Sequence, residues 1–203
     1  METRRRSEHP PRHPRPIAFV FSGGSSLGAL HVGMLRAVQE GRIEPDFLVG
    51  TSAGALNAAF IGKGFTAARV AELAGVWGAL RTKDVFPGLG FWSSVKALVG
   101  SGTLASPSGL EGIIDRHVAA THAELAIPTA VIASDLATGS AVAFKEGDLR
   151  RHVLASAAIP GVFPPVTVDG RTFIDGGVSS HVPLLPAKDL GAKTIVVFDT
   201  GLP

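Results

Sequence analysis

The chain contains no cysteine, so disulfides and thiolate metal sites are excluded, and cysteine usage does not indicate a redox compartment. Tyrosine is absent too, leaving 11 Phe and 2 Trp as the whole aromatic set. That set offers little of the hydrogen-bonding aromatic surface on which nucleic-acid bases stack. Charged residues make up only 18%. No apolar run approaches the roughly 18 residues that would span a bilayer. An excess of one charge sign is also missing where it would matter. The net charge is +2, but residues 1–16 hold five Arg against two Glu, so residues 17–203 carry −1. A general nucleic-acid binder needs a basic face on its folded body. That class is excluded.

Against these absences stand 203 residues that are 45% apolar. This suffices for one domain with a sizeable core, not for two, and it excludes a disordered chain. The opening Met1-Glu2-Thr3-Arg4-Arg5-Arg6 is basic, and a Pro-rich stretch follows it as far as Pro16. Residues 1–16 read as a disordered basic tail, with weak contact to an anionic membrane as the functional alternative. No apolar signal-peptide core follows the arginines. The expected location is therefore the cytoplasm, peripheral to the membrane if the lipid contact below holds.

From residue 17 onward, strand and helix patterns alternate. Ile17-Ala18-Phe19-Val20-Phe21 is a short apolar run ending at Ser22-Gly23-Gly24, as in a buried strand of a parallel sheet. Residues 28–39 are apolar on more than one face and predict a buried helix. A strand at 47–49 precedes an Ala-rich helix at 53–61. Helical patterns continue at 66–80 and 108–120, strands at 128–134 and 141–144, a helix at 148–158 and a closing strand at 194–199. This alternation predicts an α/β fold with a mainly parallel sheet, one domain over residues 17–203. Residues 84–107 break the rhythm. Six Gly or Pro surround a segment in which Phe91, Trp92, Val95, Leu98 and Val99 share one helical face. Such an insertion suits a lid or lipid-contacting element, and equally a surface helix packed on the core.

Gly50-Thr51-Ser52-Ala53-Gly54 is the central chemical signal. It lies between an apolar strand and an Ala-rich helix, the context a nucleophile elbow requires. Glycines on both sides permit a tight turn that projects the serine hydroxyl, and the helix N-terminus behind it favours an alkoxide. Upstream, Ser22-Gly23-Gly24-Ser25-Ser26-Leu27-Gly28 separates the first strand from the first helix. A P-loop would need Lys where Ala29 stands, and a dinucleotide fingerprint would need Gly in place of Ser25. An oxyanion hole or a plain tight turn remains. Asp175-Gly176-Gly177 follows the apolar run Thr172-Phe173-Ile174, which places a carboxylate at a strand end. Asp-Gly is also an ordinary turn signal. His181 could complete a Ser-His-Asp order. Ser52, however, has a single clear strand ahead of its own, fewer than such hydrolases place before the elbow. His31, His117, His122 and His152 fall in or beside helical patterns, as surface or satisfied core residues would. The seven His show no metal-ligand spacing. A Ser-Asp dyad is what remains.

These motifs, in this order, resemble the patatin-like phospholipases, in particular their bacterial branch. The resemblance extends over most of residues 17–199. Two further blocks support it, Ser134-Asp135-Leu136-Ala137-Thr138-Gly139 and the stretch from Ala155-Ser156-Ala157-Ala158-Ile159-Pro160 through Val166. The resemblance implies a three-layer α/β/α sandwich and a lipid acyl hydrolase acting at or near a membrane surface, with no metal or organic cofactor. It implies Ser52 as nucleophile and Asp175 as base, with the amides of Gly23, Gly24 and Ser25 as oxyanion hole. Gly50 and Gly54 would shape the elbow, and Gly176 and Gly177 would follow the base. The sequence departs from the family pattern at three places. Ser25 replaces a nest glycine, Leu27 a nest cation, and His181 a frequent Asn. Losing the cation weakens a phospholipid preference more than ester hydrolysis itself. A catalytically silent lipid- or partner-binding module and an acyltransferase are the two rival readings. The partner in each is a lipid or an acyl ester.

Overall fold

The computed structural model describes residues 13–85 and 105–201. Most of the insertion at 84–107, including the amphipathic segment 91–99, lies outside the described residues, as do residues 1–12 of the tail. The described part of the tail is anchored. The Arg15 guanidinium pairs with Asp46 at 2.7 Å, the Ile17 amide donates to Asp46 Oδ2 at 2.6 Å, and Thr194 Oγ1 donates to the Pro14 carbonyl.

Strand β1 (Ile17–Phe21) is buried along its whole length, because a central parallel strand is covered on both faces and needs apolar residues at every position. A 3-10 turn at Ser25–Ala29 leads into α1 (Leu30–Glu40), then β2 (Phe47–Thr51) and α2 (Ala53–Ile61). Nearly every residue of α2 is buried, which its alanines permit by letting neighbours approach on all sides. Helix α3 (Ala67–Ala79) starts at Thr66, whose side chain accepts the Arg69 amide, a cap worth about 1 kcal/mol. Short α4 (Thr82–Val85) and α5 (Ser108–His117) border the undescribed stretch. Then come β3 (Thr129–Asp135), β4 (Ala141–Phe144) and α6 (Leu149–Ser156), the last capped by Asp148 accepting the Arg151 amide. The hairpin of β5 (Val166–Val168) and β6 (Arg171–Asp175) follows, then α7 (Gly177–Ser180), α8 (Leu184–Asp189) and β7 (Thr194–Phe198).

Among the described residues the sheet has seven strands, and β7, β1, β2 and β3 run parallel as its body. The layers are unequal. Odd positions of β1 (Phe19, Phe21) pack with residues of α1, α2 and α3, and Val131 of β3 continues that face under α2, α5 and α6. The opposite face, carrying Ala18, Val20, Val49 and Ile132, packs against Ala187 of α8 and the segments around it. Among the described residues no helix is long and apolar enough to cross a membrane.

Strand β3 has two edges and three partners. Ile132 pairs with both Thr51 and Ala143, while Ala133 and Ser134 pair with both β4 and β6. Strand β4 therefore holds one edge alone, and β2 and β6 succeed one another along the other. Strand β2 ends opposite Ile132, and Asp175, the last residue of β6, sits opposite Ala133. Asp175 thus takes up the edge where β2 leaves it and the chain turns into Ser52. This relay of strands positions the site.

Candidate active site

Ser52 turns from β2 into α2 with φ 54° and ψ −121°, a conformation costly for a residue with a Cβ and one that persists only where its surroundings impose it. Close packing imposes it here. A Cβ on Gly54 would meet the carbonyl oxygens of Phe21 and Ser22, and one on Gly50 would meet the Gly54 carbonyl. Both elbow glycines exist to let three backbone segments touch. The Ser52 amide donates to Ser156 Oγ at 2.8 Å, and Ser52 stands at the positive end of α2.

The serine hydroxyl donates to Asp175 Oδ2 at 2.6 Å, a charge-assisted contact between residues 123 positions apart. Both residues are 7% exposed. The other carboxylate oxygen, Oδ1, accepts the Gly177 amide at 2.7 Å, and the Asp175 carbonyl accepts from Ser134 Oγ at 2.8 Å. Burial raises the affinity of Asp175 for a proton above the usual carboxylate range. The hydrogen bonds from Ser52 and Gly177, and the charge available on His181, pull it partway back. A carboxylate so placed is a better base near neutrality than one in water.

The glycine-rich turn packs against the dyad. Gly24 adopts φ 147°, and Ser25 adopts φ 50°, left-handed although it carries a Cβ. The Gly24 and Ser25 amides have no acceptor among the described residues, and Ser25 lines the same cavity as Ser52. Gly23 differs, because its amide is taken by the His181 carbonyl at 3.0 Å. It anchors the turn rather than offering a free donor. His181 meets the site with its ring too. A Cβ on Gly23 would lie 3.0 Å from the imidazole and 3.6 Å from Ser52 Cβ.

A cavity of about 260 Å³ opens beside Ser52, lined by apolar side chains that include Leu56, Phe60, Leu73, Trp77 and Ile113. The buried polar group beside it is satisfied: Asn57 accepts from Trp77 Nε1 and donates to the Gly28 carbonyl. Leu27, Leu30, Leu136 and Val178 are exposed, each within a few residues of the turn or the end of β3 or β6. Among the described residues no cluster of three or more His, Asp or Glu could hold a metal ion.

Sequence reasoning singled out Ser52, Asp175 and the turn, which the structure brings together, but assigned no role to the two serines bracing them. Ser134 holds the Asp175 carbonyl and accepts the Ser179 amide, and Ser156 holds the Ser52 amide. Both lie in the supporting blocks, so their signal was present as motif without a stated mechanism. His122 and His152 are buried together away from the dyad, with His122 Nε2 3.1 Å from His152 Nδ1.

Comparison with known proteins gives the family and the fold. A family model described as patatin-like phospholipase matches residues 19–188. Patatin-like phospholipase domain-containing protein 6 of Mus musculus is 29% identical over 187 residues, 91% of this chain and 13% of that protein. Protein 7 of that series from Rattus norvegicus is 30% identical over 91% of this chain and 14% of its own length. An uncharacterised NTE family protein of Mycobacterium bovis is 29% identical over 89% of this chain and 48% of its own. This chain therefore spans half or less of the relatives it matches. Among solved structures, VipD from Legionella pneumophila superposes with a TM-score of 0.61 at 14% identity, covering 92% of this chain and 49% of that one. That likeness is one of fold.

Proposed function

The chain belongs to the patatin-like phospholipase family, and from that premise we propose that it is a serine acyl-ester hydrolase of lipids, of phospholipase A type, acting through Ser52 and Asp175. The observation that carries this reading is the 2.6 Å bond from a strained serine at a helix N-terminus to a buried carboxylate, beside an apolar cavity. Ser52 Oγ attacks the ester carbonyl as its proton passes to Asp175 Oδ2. The amides of Gly24 and Ser25 and the N-terminus of α2 receive the charge developing on the carbonyl oxygen. Asp175 returns the proton to the departing alcohol, leaving an acyl-serine. A water then attacks, giving its proton to Asp175, and the tetrahedral species collapses to free acid and regenerated Ser52.

The acyl chain occupies the cavity lined by Leu56, Phe60 and Trp77. Leu27 and Leu30, exposed in and just after the turn whose Ser25, Ser26 and Ala29 line the cavity, bring the site to a lipid surface, Leu27 standing in place of the nest cation. The test is intact-mass analysis after treatment with a fluorophosphonate. A single adduct on the wild type, missing in Ser52→Ala, is expected. A folded wild type that takes no adduct would overturn the reading.

A further inference from the structure

Ser156 is fully buried at the last position of α6, and each of its hydrogen-bonding groups outside the helix is committed to the dyad's scaffold. Its Oγ accepts the Ser52 amide at 2.8 Å while donating to the Ile132 carbonyl at 2.5 Å. Its own carbonyl accepts the Gly176 amide at 3.1 Å, one residue beyond the base. Two residues further on, the Ala158 carbonyl accepts the Asp175 amide at 2.9 Å. One helix end therefore grips the backbone of both the nucleophile and the base.

The location explains why a hydroxyl is required. Strand β2 ends at Thr51, paired with Ile132, so the next amide, that of Ser52, leaves the ladder as the chain turns into α2. A buried amide without an acceptor is costly. The Ser52 amide does not reach the Ile132 carbonyl itself: it donates to Ser156 Oγ, which donates in turn to Ile132. A group that accepts from one and donates to the other bridges the gap, and a hydroxyl does both at once. Alanine does neither.

We propose that Ser156 is a positioning residue: its hydroxyl fixes the left-handed backbone of Ser52, and its carbonyl keeps Asp175 in step with it. The functional half of this statement rests on the reading of Ser52 as a nucleophile. The bracing half does not.

The experiment compares Ser156→Ala and Ser156→Cys with the wild-type chain by residue-level amide hydrogen exchange and by kinetics per fluorophosphonate-titrated site. In Ser156→Ala the Ser52 amide should lose at least about tenfold in protection while Val49, inside β2, keeps its own. The kcat per titrated site should fall about tenfold with KM changed less than about twofold, the loss of one buried hydrogen bond. Cysteine, close in size but a weak hydrogen-bond partner, should fall in between. An unchanged Ser52 amide, or unchanged kcat per site, overturns the proposal. If Ser156→Ala fails to fold, Ser156→Cys decides by the same two readouts. If the wild type neither labels nor turns over, the functional reading falls, and the exchange data alone uphold or reject the brace.

Discussion

The two ends of β3 bury titratable groups by the same physics and obtain opposite chemistry from it. At the carboxyl end, Asp175 opposite Ala133 is held close to Ser52, and desolvation raises its proton affinity. At the amino end, His122 Nδ1 lies 3.0 Å from the Thr129 carbonyl and its Nε2 meets His152, whose ring stacks on Phe144 at 4.1 Å. Burial lowers both histidines there, His152 to about 4. Low dielectric disfavours whichever form is charged. An acid is thereby tuned toward neutrality and becomes a usable base, while a base is tuned away from it and becomes an inert polar plug. What separates a site from a core feature here is the partner. The carboxylate faces a hydroxyl at a cavity, and the imidazole faces another imidazole and a phenyl ring.

Breaking the carboxyl end should give the largest effect. Asp175→Asn should lower turnover about 10³-fold, measured by ester hydrolysis. The same substitution should raise the thermal midpoint at pH 7. The folded state holds the Asp175 proton more tightly than the unfolded chain does. Its stabilising contribution is complete below the ordinary carboxylate range and is lost as pH rises through the raised folded value. At neutrality the ionised carboxylate weighs against the fold, and asparagine removes that burden. A variant both inactive and less stable would contradict the account.

At the amino end the sign reverses. The unfolded chain takes up a proton on His152 near its ordinary value of about 6.5, whereas the folded protein resists until about 4. Stability from keeping this ring neutral is present above about 6.5 and drains as pH falls toward 4. Thermal melts across that window should therefore fall steeply. Replacing both partners, as His122→Leu with His152→Phe, should flatten the slope and leave activity at pH 7 within about twofold, since swapping both members of a buried pair for apolar groups is nearly neutral. An unchanged slope would place acid sensitivity elsewhere.

A finer comparison concerns His181, whose charge opposes the effect of burial on Asp175. His181→Asn should move the acid limb of the kcat/KM profile to higher pH by less than about one unit, with the dyad intact. The smallest expected effect is at the turn. Ser25→Gly relieves a left-handed Cβ but gains chain entropy in the unfolded state, for a net stabilisation of about 0.5 kcal/mol by denaturant unfolding.

Elements defined by continuous apolar runs were the most legible. The strand at 17–21 and the helix at 53–61 end where the sequence pattern ends, because both are buried on all sides and polarity marks their limits. The hairpin Val166–Val168 and Arg171–Asp175 was expected only in its second strand. Its turn, Asp169 and Gly170 with φ 48° and 76°, is the Asp-Gly signal in its favoured setting. The turn at Ser52 was readable because glycine spacing announces a strained backbone. That the Gly23 amide is spent on His181, and that Ser156 grips Ser52, depends on contacts between distant segments that no local pattern encodes. The unequal layering rests on such contacts as well.

The succession of β2 and β6 along one edge of β3 has a temporal meaning. A ribosome that has delivered the chain as far as β4 has already made Ser52, its turn and the strand on which Asp175 will dock. Asp175 itself arrives only with the last hairpin, 123 residues after Ser52. Until β6 takes its place opposite Ala133, the serine has no proton acceptor. On the mechanism proposed above, reactivity would be a late event of folding, because a half-made chain holds the serine without its proton acceptor.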